Sequence, residues 1–288
     1  MKLKAENLHL HYGGHVALDD VNFELNGNRI IGLLGKNGAG KTSLLSLIAS
    51  FREPTSGSIT VNGEEPFENT KVMQQIAFLY DKDYNNESDK VGEMLEGIAR
   101  YRPNFDKEYA ESLINLFKLD REKQIKKFSK GMKSALNVVI GLASRAPITL
   151  LDEVYLGMDA HLREAFYKEL LEEQQRFPRM FILSTHLVSE MDYLFDEVII
   201  IDKGTVLLHE EIDTFLAKGV TITGESEFVD QFVGSKQQLN VQHLGNTKSV
   251  MVYGGVTENE YENARRLGLE ISHASLHELF VHLTKEDM

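Results

Sequence analysis

Gly35-Lys36-Asn37-Gly38-Ala39-Gly40-Lys41-Thr42 lies between an apolar run, Arg29 to Leu34, and a helical pattern that puts Leu44, Leu47 and Ile48 on one face. Its spacing is G-x-x-x-x-G-K-[ST], and that spacing at a strand-to-helix junction predicts a phosphate-binding loop. The glycines free the backbone N–H groups of Asn37, Gly38, Ala39, Gly40 and Ser43 to turn toward phosphate oxygens. Lys41 can then reach the β- and γ-phosphates, and Thr42 can offer a hydroxyl to Mg²⁺. The positive end of the following helix adds to the attraction.

Composition narrows the classes around this loop. The 288 residues can bury one large core and a smaller module. The net charge of −13 argues against a general nucleic-acid binder, which needs clustered Lys and Arg to displace counterions. With no cysteine there is no disulfide, iron–sulfur cluster or Cys-based zinc site, which fits the cytoplasm. Met1-Lys2-Leu3-Lys4 leads straight into a strand-like alternation without an apolar leader, and no apolar run approaches the ~20 residues that span a bilayer.

Upstream of the loop, Leu3 to Leu10 and Val21 to Leu25 alternate as strands of an antiparallel region. Tyr12 precedes Lys41 by a span that lets its ring fold over a purine held by the loop. Gly57 to Gly63 carries a hairpin signal, and Ile76 to Tyr80 a buried strand. Asp81 to Asp89 is polar and loop-like. Helical spacing follows from Val91 to Tyr101 and from Asp106 to Leu119, so residues 82–146 are expected to form an inserted helical subdomain. Ser129 is placed to cap the helix that ends it, with Gly131 free of bulk in the first turn, a second anion-seeking helix start. Ile148 to Leu151 delivers Asp152 and Glu153, whose side chains must diverge. One carboxylate can hold Mg²⁺ beside Thr42 while the other polarises water. His186 follows the next strand, Met180 to Leu183, at the end where open α/β sheets place ligands. After a last hairpin, strand and helix patterns from 218 to 288 predict a small α+β appendage. From 219 to 288 acidic residues outnumber basic ones by ten to five, so it is no nucleic-acid clamp.

From about residue 3 to 217 the constellation resembles the nucleotide-binding subunit of ATP-binding-cassette (ABC) transporters. The resemblance implies a P-loop NTPase fold of ABC ATPase type, an α/β architecture with an antiparallel β-subdomain and the inserted helical subdomain, here ending in the α+β appendage. Residues 1–217 would be the ATPase domain and 218–288 an accessory domain. It implies ATP and Mg²⁺ as cofactors, Tyr12 on adenine, Glu153 as general base, His186 as the switch histidine and Asp152 at the metal. Phe128-Ser129-Lys130-Gly131-Met132 stands where the family has L-S-G-G-Q, and Gly157-Met158-Asp159 matches the loop that crosses between subunits. A head-to-tail dimer would then close Ser129 and Gly131 of one subunit over ATP held by the other, either a homodimer or a pair with a paralogue. A transmembrane permease would dock near Asp81 to Tyr101, holding the chain to the cytoplasmic face of the membrane.

Four positions depart from the family pattern. Asp81 stands where a glutamine touches Mg²⁺ and attacking water. A carboxylate 4 Å from a phosphate charge is repelled by about 4 kcal/mol at an effective dielectric of ~20, so Asp81 is expected to bind the metal, reach through water or swing away. Lys130 and Met132 alter the signature, and Val154 replaces a frequent proline. The S-K-G-M signature and the ending Ser275 to Thr284 are similar to ABC-2 exporters, in particular to ATPase subunits that drive export of amphipathic phenol-soluble modulin peptides. Two other classes compete. One is a soluble cassette ATPase acting on ribosomes or DNA, which usually carries two cassettes or a long coiled-coil arm. The other is a regulatory nucleotide-binding module without hydrolysis, which Glu153 speaks against.

Overall fold

The computed structural model describes residues 1–285 except 83 and 85, so Asp83 and Asn85 of the expected polar loop lie outside the described residues. The chain begins β1 (Lys2–Tyr12), β2 (His15–Asn26), β3 (Ile30–Leu34), α1 (Lys41–Ile48), β4 (Ser56–Val61), α2 (Thr70–Met73) and β5 (Ile76–Leu79). It continues through α3 (Val91–Tyr101), α4 (Lys107–Leu116), α5 (Lys130–Ala143), β6 (Ile148–Asp152), α6 (Ala160–Arg176), β7 (Met180–Thr185), α7 (Val188–Met191), β8 (Glu197–Asp202), β9 (Thr205–Glu211) and α8 (Ile212–Ala217). The last elements are β10 (Gly219–Glu225), α9 (Ser226–Val233), β11 (Gln237–Leu244), β12 (Thr247–Tyr253), α10 (Glu258–Arg266), β13 (Glu270–His273) and α11 (Leu276–Leu283). Contacts divide the chain into two compact units: Met1–His186 with Ile199–His209, and Leu187–Val198 with the stretch from Glu210 onward.

In the first unit a six-stranded sheet runs β5-β6-β7-β3-β8-β9, with β5, β6, β7 and β3 paired in parallel. Every residue of β3 and β6 is buried, which is why these strands read as unbroken apolar runs rather than as alternation. A separate antiparallel sheet, β2-β1-β4, shares one apolar cluster with α1 and the parallel sheet through Leu3, Leu25, Leu44, Ile31 and Ile182. The hairpin expected at Gly57 to Gly63 is corrected here. β4 pairs instead with β1, Leu3 opposite Val61, and beyond Asn62-Gly63 only a single bridge from Val61 to Glu64 forms. The reversal at Asn62-Gly63 does form, Val61 and Glu64 exchanging backbone hydrogen bonds at 2.8 and 3.1 Å, but it does not extend into a second strand.

The helical segment between β5 and β6 begins its helices where polar side chains cap them. Asp106 accepts from Tyr109 N at 2.8 Å to start α4, and Ser129 accepts from Met132 N at 3.3 Å to start α5. The second unit is a split β-α-β repeat, β10-α9-β11 and β12-α10-β13, in an antiparallel sheet ordered β11-β12-β10-β13. Val220, Ile222, Val250 and Val252 face Val229, Val233 and Ala264 to make its core. The expected α/β class, with its antiparallel sheet, helical insertion and terminal α+β unit, is the class observed.

Candidate nucleotide site

The loop from Gly35 to Gly40 leaves the buried end of β3 and enters α1 through Gly40, whose φ of +110° is open to glycine alone. A side chain at Gly40 would also come within 2.8 Å of the Ala17 carbonyl. Lys36, Asn37 and Gly38 are exposed while Ala39 is buried, so Ala39 can face a ligand only with its backbone. Lys41 is 6% exposed and folds back over the loop, donating to the Gly35 carbonyl at 2.8 Å and the Lys36 carbonyl at 3.2 Å. An ammonium so placed sits in the hollow that the backbone N–H groups would share with a phosphate.

Asp152 and Glu153 leave β6 in different directions, as divergence along a strand requires. Thr42 Oγ1 donates to Asp152 Oδ2 at 2.7 Å, and Ser184 Oγ donates to Asp152 Oδ1. The Thr42 and Asp152 oxygens form a hard donor pair that fits Mg²⁺, an ion usually held by one or two protein oxygens with phosphate and water completing the shell. Glu153 adopts φ +48°, a left-handed conformation that costs a non-glycine residue of order 1–3 kcal/mol. Its N–H is tied to Ser184 Oγ at 3.1 Å, and its carboxylate swings to Lys41 Nζ at 3.4 Å and His186 Nδ1 at 3.0 Å. His186 is braced by its own N–H on the Tyr155 hydroxyl at 3.4 Å, and that hydroxyl lies 2.9 Å from Thr185 Oγ1. The roles of Ser184 and Tyr155 escaped the sequence reading. Ser184 follows the apolar run Met180 to Leu183, and its register opposite Asp152 lets its hydroxyl hold both the Asp152 carboxylate and the backbone N–H of Glu153.

An open cleft of about 270 Å³ runs from Tyr12 and His15 across the loop to Glu153. The Tyr12 hydroxyl stands 3.4 Å from Ser43 Oγ, and Arg52 lies 4.8 Å from the ring centroid, covering one face of the ring. Arg52 was not foreseen, since nothing in its local sequence relates it to Tyr12.

Three expected participants stand elsewhere. Ser129 and Gly131 head α5, and Gly131 packs so closely on the loop before α6 that a Cβ would come within 2.4 Å of the Gly157 carbonyl. Asp81 pairs with Lys130 at 3.0 Å rather than with Thr42 or Asp152. Thus the structure gathers Lys41, Thr42, Asp152, Glu153 and His186 into one constellation, and ties Asp81 to the signature turn.

Comparison with known proteins follows the same lines. The family profile described as ABC transporter matches residues 18–155. The chain is 29% identical over 222 residues to an uncharacterised ABC transporter ATP-binding protein of Methanocaldococcus jannaschii, spanning 75% of this chain and 80% of that one. It is 30% identical to the ABC transporter ATP-binding protein NatA of Bacillus subtilis (69% and 83%) and 31% identical to the taurine import ATP-binding protein TauB of Pseudomonas syringae (73% and 83%). A solved ATP-binding subunit of an ABC transporter superposes with a TM-score of 0.70 at 23% identity, covering 99% of this chain and all of that one, so the fold is shared over the full length. The chain therefore belongs to the ATP-binding subunits of ABC transporters, ATPases that dimerise and work with transmembrane permease chains.

Proposed function

We propose that this subunit powers export through a separate transmembrane chain, with amphipathic peptides as cargo, from the cytoplasmic face of the membrane. Among the described residues no helix is long and apolar enough to cross a membrane, so the pathway would lie in the partner. Residues 1–217 form the ATPase domain in this reading, and 218–288 an accessory domain.

One observation carries the catalytic assignment: a single carboxylate, Glu153, is held between Lys41 and His186 at 3.4 and 3.0 Å. Lys41 and the N–H groups from Asn37 to Ser43 bind the phosphates, and Tyr12 packs on adenine with the ring face that Arg52 leaves open. Thr42 and Asp152 hold Mg²⁺, which neutralises charge on the transferring phosphoryl group when bound. Glu153 takes the proton of the attacking water, and His186 orients it. A second copy or a paralogue closes its Ser129 and Gly131 over the γ-phosphate.

The permease reading is supported by an aromatic cluster at the edge strand β5. Phe51, which is 57% exposed, meets Phe78 at 5.3 Å and Tyr80 at 5.8 Å between ring centroids. It offers an apolar seat for a short cytoplasmic helix of the permease, beside the region from Asp81 to Tyr101. Direction and cargo rest on the S-K-G-M signature and the ending Ser275 to Thr284. Import is the competing direction, favoured by the similarity to a taurine importer.

The test is reconstitution with the transmembrane chain that co-purifies with this subunit, in vesicles with the ATPase outward. ATP-dependent accumulation of an amphipathic helical peptide in the lumen is expected. Loss of peptide from the lumen, or turnover indifferent to peptide, would overturn the exporter assignment.

A further inference from the structure

Asp81 Oδ2 and Lys130 Nζ pair at 3.0 Å with both side chains more than half exposed, 59% and 57%. Such a pair adds little to stability. Nor is it needed to hold the loop after β5 against α5. The Asn137 side chain, buried on α5, donates to the Tyr80 carbonyl at 3.0 Å and accepts from the Tyr84 hydroxyl at 2.7 Å. Burial pushes the Tyr84 phenol up to about 12, so it stays a donor. With the loop already fastened, what the Asp81–Lys130 contact does is electrostatic.

Lys130 is the first helical residue after the Ser129 cap. Its stem lies against Gly157, where an added Cβ would come within 2.6 Å of Lys130 Cγ. The stem thus has a fixed seat while the ammonium beyond it remains in solvent, able to choose between anions. We infer that Lys130 reaches the terminal phosphate of the nucleotide bound by a second copy, and that Asp81 competes for the same ammonium. ATP must draw Lys130 off Asp81 before the dimer closes, so the aspartate raises the ATP level at which closure occurs. This rests on the reading that the Ser129 turn faces the other subunit's nucleotide.

The experiment uses the full chain carrying Glu153→Gln, to slow hydrolysis, and follows ATP-dependent dimerisation by sedimentation. Adding Lys130→Gln should weaken the ATP-driven dimer about tenfold, as loss of a charge-assisted contact to phosphate does. Adding Asp81→Asn should tighten it about two- to five-fold. In the Lys130→Gln background Asp81→Asn should change nothing, and Lys130→Arg should keep most of the affinity. If Asp81→Asn weakens the dimer or leaves it unchanged, the competition is refuted. If it tightens the dimer equally without Lys130, Asp81 acts by direct repulsion of phosphate and the inference is overturned. If Glu153→Gln alone does not dimerise with ATP, the facing of the two copies falls, and the inference with it.

Discussion

At Glu153 the backbone pays for position. A φ of +48° directs the carboxylate to Lys41 and His186 while its neighbour Asp152 stays with Thr42 and Ser184. Were the strand simply continued, the pleat would send Glu153 to the other side of the sheet. Removing the negative charge while keeping the shape should therefore separate binding from hydrolysis. Glu153→Gln is expected to lower ATP turnover about 10²- to 10⁴-fold, the span attributed to a general base, with nucleotide affinity kept or raised. Phosphate release and equilibrium ATP binding on the same preparation would check both halves.

At the scale of elements, the start of α5 is set by contact as much as by its cap. Gly131 has no room for a side chain against the Gly157 carbonyl, a backbone atom that cannot rotate away. Gly131→Ala should cost about 1–3 kcal/mol of stability and depress ATPase activity together, seen as a lower melting temperature and slower phosphate release. The start of α10 supports a prediction of a different kind. Thr257 and Glu260 form a capping box, with Glu260 Oε2 accepting from Thr257 N at 2.8 Å, and Lys236 Nζ lies 2.6 Å from Glu260 Oε1. The Lys236 hydrogen bond, helped by the Thr257 backbone, holds the Glu260 carboxyl down at about 2, below its ordinary 4.5. Its folded-state value being depressed, this group contributes stability that is fully present above about pH 4.5 and is lost as pH falls toward 2. Glu260→Gln should lower stability at neutral pH and flatten the acid limb over that window. Thermal melts from pH 2 to 7 would measure it, and an unchanged slope would remove Glu260 from the account.

At the scale of the whole molecule, the exposed Phe51, just after α1, is the outward member of the Phe51–Phe78–Tyr80 cluster beside the edge strand β5. Replacing it by a charge should leave the fold intact, because more than half of the ring already meets water. Phe51→Glu is expected to melt within a few degrees of the wild type and to lose co-purification with the permease; retention of the complex would move the docking surface elsewhere.

Much of this was determined by the sequence alone. The loop from Gly35 to Thr42, the Asp152-Glu153 pair, the Ser129 cap and the bounds of α3 are local patterns, set by backbone freedom, capping chemistry and periodicity within a few residues. The tertiary structure decided what depends on which strand lies beside which. Pairing of β6 with β7 put the Ser184 hydroxyl between the Asp152 carboxylate and the Glu153 N–H. Pairing of β1 with β4 overrode a hairpin signal. Docking of α5 brought Lys130 to Asp81, so that two departures from the family pattern, 49 residues apart, meet as one ion pair. The physical reason is that a turn or a cap is satisfied by its neighbours in the chain, whereas the partner of a charge or a strand edge is chosen by burial of the whole core.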